Sequence, residues 1–263
     1  MHGAGNDFLL FTGPLPADLR LPPLIAYACG RRTGLGADGA LFLDAESPGA
    51  PLRVRYFNGD GSAAKMCFNG ARCAALRACQ LGWRPDAILL RTGYGELHAT
   101  ARADGEVCLA FAGPAVVPAW VPLPPGLGVP GGWSAPIADP HFVAHVGRRL
   151  LDDPDFPRVA AAIRGYQPAF PAGTNVHLVS GERGTYRIRS YERGVEAETL
   201  ACGSGCVAAA LTLGDDRPLA FRTAGGFTLR VEPGPGTWRL TGPARLIAEA
   251  DLQVDRRALG MSR

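Results

Sequence analysis

Lysine is almost missing from this chain: Lys65 is the single one, and the other 26 of its 27 basic residues are arginine. A pyridoxal phosphate enzyme holds its cofactor through a lysine Schiff base, so Lys65 alone could serve. It sits two positions before Cys67, in a segment with a better explanation. Long apolar runs are also missing, and none approaches the roughly 20 residues of a membrane span. The opening Met1–Phe8 lacks the basic start and apolar stretch of a secretory leader, so the expected setting is a reducing cytoplasm. No basic run stands out and the net charge is only +3, which argues against a nucleic-acid partner. Cys67, Cys73 and Cys79 stand six apart, unlike the close pairs of a zinc cluster. Neither a metal nor a cofactor is expected.

What the chain does have is a repeat. Its 263 residues, 47% of them hydrophobic, suffice for two ordinary domains. Cys67 and Cys202 each follow a tyrosine (Tyr56, Tyr191) by 11 residues, and each opens a Cys-x-x-Gly turn into an Ala-rich stretch. Gly36-Ala-Asp38 and Gly173-Thr-Asn175 echo each other ahead of apolar strands, as do Gly5-Asn-Asp-Phe8 and Asp139-Pro-His-Phe142. Echoes preserved in order indicate an internal duplication.

Periodicity and punctuation predict helices at Leu21–Cys29, Asn69–Leu81, Phe156–Arg164 and Gly203–Leu213, with short strands between them. The two Ala-rich helices are apolar nearly all round and should be buried. The expected fold is α+β: two pseudo-symmetric domains, each a curled, mostly antiparallel sheet wrapped around a central helix. Their expected bounds are 1–115, with a tail of about 251–263 returning to it, and 116–250. The Pro- and Gly-rich stretch 113–136 reads as the linker.

A helix N-terminus carries unpaired N–H groups and partial positive charge. A cysteine there gains thiolate character, and a carboxylate is favoured beside it. One thiol per repeat therefore supplies a proton remover and a proton donor for the two faces of one carbon, which is the requirement for inverting a stereocentre. Gly70, Gly203 and Gly205 should let ligand approach the backbone. A lone cysteine before such a helix is ordinarily a small buried hydrophobe, and that reading suits Cys29, Cys73, Cys79, Cys108 and Cys206. For Cys67 and Cys202 the duplication outweighs it.

At these residues the chain resembles diaminopimelate epimerases, which interconvert LL- and meso-diaminopimelate without a cofactor in lysine and cell-wall synthesis. The matching segments are Met1–Phe8, Thr33–Asp38, Phe57–Ser62, Met66–Cys73, Tyr191–Gly194 and Glu198–Gly205. The resemblance implies Cys67 and Cys202 as acid/base residues and the backbone of Phe68, Asn69, Gly203 and Ser204 as the grip on the reacting carboxylate. It implies Arg193 for the distal carboxylate, Glu192 for the distal ammonium, Asn58 and Asn175 at that end, and Asn6 near the reacting centre. His141 is a further candidate for the lining, and a cytoplasmic homodimer is implied. The chain departs from the family pattern in four ways. Phe68 replaces a glycine, which raises the question of positive φ. Asp139 replaces an asparagine and adds negative charge. Gly39 stands where many members have glutamine. A strand usually precedes the first motif. The rival readings are a proline or hydroxyproline racemase of the same architecture, which carries histidine in place of Asn69, and a non-catalytic ligand-binding or redox-sensing relative.

Overall fold

The computed structural model describes residues 1–13, 20–45, 50–83, 87–254 and 259. The chain forms two compact units, Met1–Leu109 with Ala244–Arg263, and Ala110–Pro243. Residues 255–258 and 260–263 of the expected tail lie outside the described residues.

The first unit begins with a hairpin of β1 (His2–Gly3) and β2 (Asn6–Thr12). Its two turn residues, Ala4 (φ 53) and Gly5 (φ 90), are both left-handed, as a two-residue hairpin turn of matching twist requires. Then come α1 (Leu21–Cys29), β3 (Gly39–Ala45), β4 (Leu52–Asn58) and β5 (Ala63–Ala64). After them follow α2 (Phe68–Gln80), β6 (Ala87–Thr92), β7 (Gly95–Ala101) and β8 (Glu106–Ala112), the last running on into the second unit. β3 lies parallel to β2 and antiparallel to β4, and β4 pairs in parallel with β6.

The second unit repeats that pattern. After β9 (Ala119–Pro122) and β10 (Gly131–Ser134) come β11 (His141–His145), α3 (Arg148–Leu151), α4 (Phe156–Arg164), β12 (Asn175–Glu182), β13 (Thr185–Glu192) and β14 (Ala197–Thr199). They are followed by α5 (Gly203–Leu213), β15 (Leu219–Arg222), β16 (Thr228–Glu232) and β17 (Thr237–Arg245). β12 lies parallel to β11 and antiparallel to β13, and β13 pairs in parallel with β15. The order parallel, antiparallel, helix, parallel is thus written twice. The stretch 113–136 is no bare linker: β9 and β10 pair within it, with Trp120 edge-on to Trp133. Glycine and proline there shape a turn between strands too short to read from periodicity.

Both Ala-rich helices are buried as expected, α2 from Phe68 to Leu76 without a break and α5 through Cys206–Ala210. β3 is buried on both faces, which explains its unbroken apolar run. Ala40 and Phe42 pack with Ile25 and Cys29 of α1, while Leu41 touches Gly70 of α2. In β12, Val176 and Leu178 pack with Phe156, Ala160 and Ile163 of α4, while His177 meets Gly205 of α5.

These contacts correct the repeat alignment by one residue. Tyr56 contacts Phe8 on the face turned to α2, whereas Tyr191 belongs to the cluster around α4. The counterpart of Tyr191 is therefore Phe57, which packs on the α1 side. The register partners facing each buried helix are Leu41 with Tyr56 in the first unit, and His177 with Ser190 in the second. The equal Tyr–Cys spacing hides a shift of one position along each strand, which reverses the face a side chain occupies.

Leu41 is 1% exposed and is a direct brace for α2. Leu41→Ala should cost about 2–5 kcal/mol, read as a lower urea midpoint with unchanged slope. A loss below about 0.5 kcal/mol would show that the helix does not lean on it.

Candidate active site

In each unit the candidate residues gather at the start of a buried helix. Cys67 is the residue before α2, in extended conformation (φ −132, ψ 123), and Cys202 holds the same place before α5 (φ −117, ψ 110). None of the seven cysteines forms a disulfide. Cys29, Cys73 and Cys206 are buried, whereas Cys79 and Cys108 are only half-buried.

In the first unit, Cys67 Sγ donates to Asn6 Oδ1 at 3.5 Å, and Asn69 Nδ2 reaches the same oxygen at 3.5 Å. The orientation of Asn6 is fixed from behind: its Nδ2 donates to Asp38 Oδ2 at 2.7 Å. Asp38 and Asp7 both receive Arg31, and Asp38 N–H donates to Asp7 Oδ1 at 2.8 Å. The amide oxygen is thereby turned toward the sulfur, where it accepts from the thiol. Asn69 is buried, and its Oδ1 accepts from Arg72 Nη2 at 2.7 Å. Arg72 has no exposed surface; a run read as apolar hides this guanidinium. Phe68 begins α2 with its ring buried and edge-on to Tyr94, so a helical backbone removes the concern over positive φ. Asn58 ends β4 and donates to Ser62 Oγ at 3.0 Å. Gly39 opens β3, and a side chain there would meet the Phe57 carbonyl at 2.6 Å and the Tyr56 ring at 2.8 Å. It is a packing position. Lys65 lines a groove of about 540 Å³ with Arg53, Arg55 and Arg91; this groove holds none of the candidate residues.

In the second unit, Cys202 is 3% exposed, with its sulfur 3.6 Å from Ser204 Oγ. Burial pushes its pKa well above the usual thiol range, and the charge of Glu192 adds to that. Ser204 and the Gly205 N–H pull the other way without prevailing. At Cys202 desolvation thus outweighs the thiolate character that the helix terminus favours. Glu192 accepts from Thr199 Oγ1.

Arg193 spans the loop that leaves β13. Its Nη2 meets Asp139 Oδ1 at 2.9 Å, its Nη1 donates to Ala172 O at 3.2 Å, and its N–H donates to Asn175 Oδ1 at 2.8 Å. Asn175 is buried, so it braces the Arg193 backbone. The negative charge that Asp139 adds is matched by Arg193.

His141 has no exposed surface and lies beside a group the sequence reading passed over. Its Nδ1 is 2.8 Å from His177 Nε2, and His177 Nδ1 is 2.9 Å from Ser190 Oγ. A ring nitrogen of each histidine and Cys202 Sγ lie within 4.8 Å of one another. These three are the donors a thiophilic cation would find, although the bond between the rings engages two of the four nitrogens. Gly205 lacks a side chain because His177 fills that space: a Cβ would lie 2.7 Å from Nδ1 and 2.8 Å from Nε2. Gly70 likewise receives Leu41, at 3.2 Å. Both glycines serve packing rather than ligand approach. The signal for His177 was present, two places after Asn175 on one strand, but strands buried on both faces do not announce it.

The chain matches the family model described as diaminopimelate epimerase over residues 1–117 and 135–247. A relative from Methanocella arvoryzae, named diaminopimelate epimerase, is 37% identical, the match covering 98% of this chain and 97% of the relative. One from Gemmatimonas aurantiaca with the same name is 36% identical, covering 90% and 88%. Among solved structures, a Pseudomonas aeruginosa protein described as a predicted epimerase aligns with TM-score 0.69 at 15% identity, covering 95% and 94%. A probable proline racemase of Agrobacterium radiobacter aligns at 0.66 with 16% identity, covering 100% and 95%. Identities this low speak for the fold alone.

Burial lowers the pKa of His141 from 6.5 to about 4, with Asp139 pulling upward, and lowers that of His177 well below 6.5. The unfolded chain therefore binds protons before the native state does as pH falls below 6.5. This stability is complete above that value and is lost as pH drops toward 4. Urea midpoints measured from pH 7 down to about 5, before carboxylates titrate, should fall. The fall should be shallower in His177→Gln; an equal slope in both proteins would remove His177 as a cause.

Proposed function

The chain belongs to the diaminopimelate epimerase family, and we propose that it interconverts LL- and meso-diaminopimelate by a cofactor-independent, two-thiol mechanism in lysine and peptidoglycan-precursor synthesis. The observation that carries this reading is the repeated placement of a cysteine at the head of a buried helix, once in each unit.

One sulfur, as thiolate, takes the α-proton; the other, as thiol, gives a proton to the opposite face of the carbanion. The first ends as thiol and the second as thiolate, so the pair is ready for the reverse reaction. The reacting carboxylate is held by the backbone N–H groups at the two helix starts, at Phe68 and Asn69 and at Gly203 and Ser204. Those fixed donors stabilise the charge that develops on proton loss. Asn6 orients Cys67. Burial, and after it the charge of Glu192, oppose a negative charge on Cys202, so that sulfur holds its proton until the carbanion needs it. At the distal end Arg193 receives the second carboxylate and Glu192 the second ammonium, with Asn58 alongside and Asn175 holding the Arg193 backbone. The proposed working form is a cytoplasmic homodimer.

Purified protein should convert LL- to meso-diaminopimelate with no added cofactor and should incorporate solvent deuterium at the α-carbon. Cys67→Ala and Cys202→Ala should each lower kcat by about 10²–10⁴-fold. Near-normal turnover in either variant would overturn the two-thiol reading.

Arg193→Ala should raise KM by about tenfold or more, since a charge-assisted pair is lost, while kcat falls less. An unchanged KM would remove Arg193 from the distal end.

A further inference from the structure

The two units differ at one place where the fold makes them equivalent. Facing α2 are Phe8, Leu41 and Tyr56, with Phe8 edge-on to Tyr56 and both Phe8 and Leu41 against Gly70. Facing α5, the corresponding triplet is His141, His177 and Ser190, with His177 against Gly205. The strand registers set the match: Leu41 pairs with Tyr56 and His177 with Ser190, while Phe8 pairs with Gly39 and His141 with Asn175. A largely aromatic and aliphatic triplet, with the Tyr56 hydroxyl its one polar side-chain group, is matched in the other unit by a wholly polar, hydrogen-bonded one, and nothing in the fold demands that.

The hydrogens of this chain of three groups can be assigned. All three are buried, and burial keeps both rings neutral near pH 7. A neutral imidazole has one N–H and one lone pair, so the direction of one hydrogen bond dictates the next. Suppose Ser190 Oγ–H donates to His177 Nδ1. Then His177 Nε2–H donates to His141 Nδ1, and the His141 proton must sit on Nε2. The group left over is that N–H, and among the described residues His141 Nε2 is indeed buried without a well-formed hydrogen bond. The reverse direction strands two groups, the Ser190 hydroxyl proton and a bare His141 Nε2. The Ile137 carbonyl acts on His141 as a weak backbone acceptor, which favours a proton on the ring nitrogen that His177 leaves free; it also accepts from the Asp139 N–H at 2.7 Å. Burial disfavours stranded polar groups, so the first direction wins.

We propose that His177, held by Ser190, is a positioning residue that fixes His141 as the Nε2–H tautomer, an uncharged hydrogen-bond donor kept near Cys202 for the reacting anion. This rests on the reading that Cys202 exchanges a proton with substrate. An uncharged donor stabilises a carboxylate or carbanion without offering a third exchangeable acid to compete with the two thiols. The charged groups acting on His141 are Asp139 and Arg193, paired with each other.

The tautomer can be read without any assay. Imidazole nitrogen-15 spectra of the full chain at pH 7, its five histidines assigned by single His→Gln variants, should show His141 and His177 both protonated at Nε2 and bare at Nδ1. A proton on Nδ1 of His141, or averaged signals, would overturn the proposal whether or not the protein epimerises diaminopimelate. Kinetics supply the second arm. Ser190→Ala and His177→Leu should lower kcat roughly tenfold with little change in KM, as misoriented groups do. His177→Gln, whose amide can accept from Ser190 and donate to His141, should recover part of that loss. If folded Leu and Gln variants of His177 turn over equally, the positioning role fails. Absent epimerisation in the unaltered protein would instead strike the underlying reading, leaving the spectra to decide the tautomer.

Discussion

A helix enclosed on all sides inside a curled sheet can meet solvent or ligand only at its ends. That constraint governs both units. With Ala, Cys and Gly along α2 and α5, the sheet strands close in on the helix barrel, and what remains for chemistry is the helix start with its backbone N–H groups. A cysteine at that start is held by the most rigid part of the fold rather than by a loop, which is how a pair of small side chains can serve a geometry-sensitive proton transfer.

The two starts are not chemically alike. Cys67 faces an amide oxygen whose orientation is enforced through Asp38, Asp7 and Arg31. Cys202 is more deeply buried and sits beside the charge of Glu192. Duplication supplied two equal frames, and later substitution made one amide-lined and the other charged and imidazole-lined. Asn58 and Glu192, at matching strand ends, show the same divergence.

Much of this was legible in the sequence. Glycines, prolines and Ala-rich periodicity locate four of the helices within a residue of their observed bounds, because those signals act locally. The two cysteines were legible because a repeat is a long-range signal that survives without coordinates. What escaped is non-local. β9 and β10 exist only through each other. The strand register, shifted by one residue between repeats, decides which face Tyr56 and Tyr191 occupy. Arg72 and His177 are buried polar residues in stretches whose pattern reads as core. The upward push of burial on the Cys202 pKa escaped for a related reason: a helix terminus is visible in sequence, but the depth at which it is buried is not.

Arg193 is already paired with a carboxylate of its own chain, that of Asp139. On the proposed reading, an acid group reaching Arg193 takes part in an exchange of counter-ions rather than in the capture of a bare cation. Its attraction is set by the difference between two carboxylates, one tethered and one free. Long-range pull at this loop is accordingly weak, and discrimination rests on whether the newcomer can fork onto the guanidinium better than the resident does.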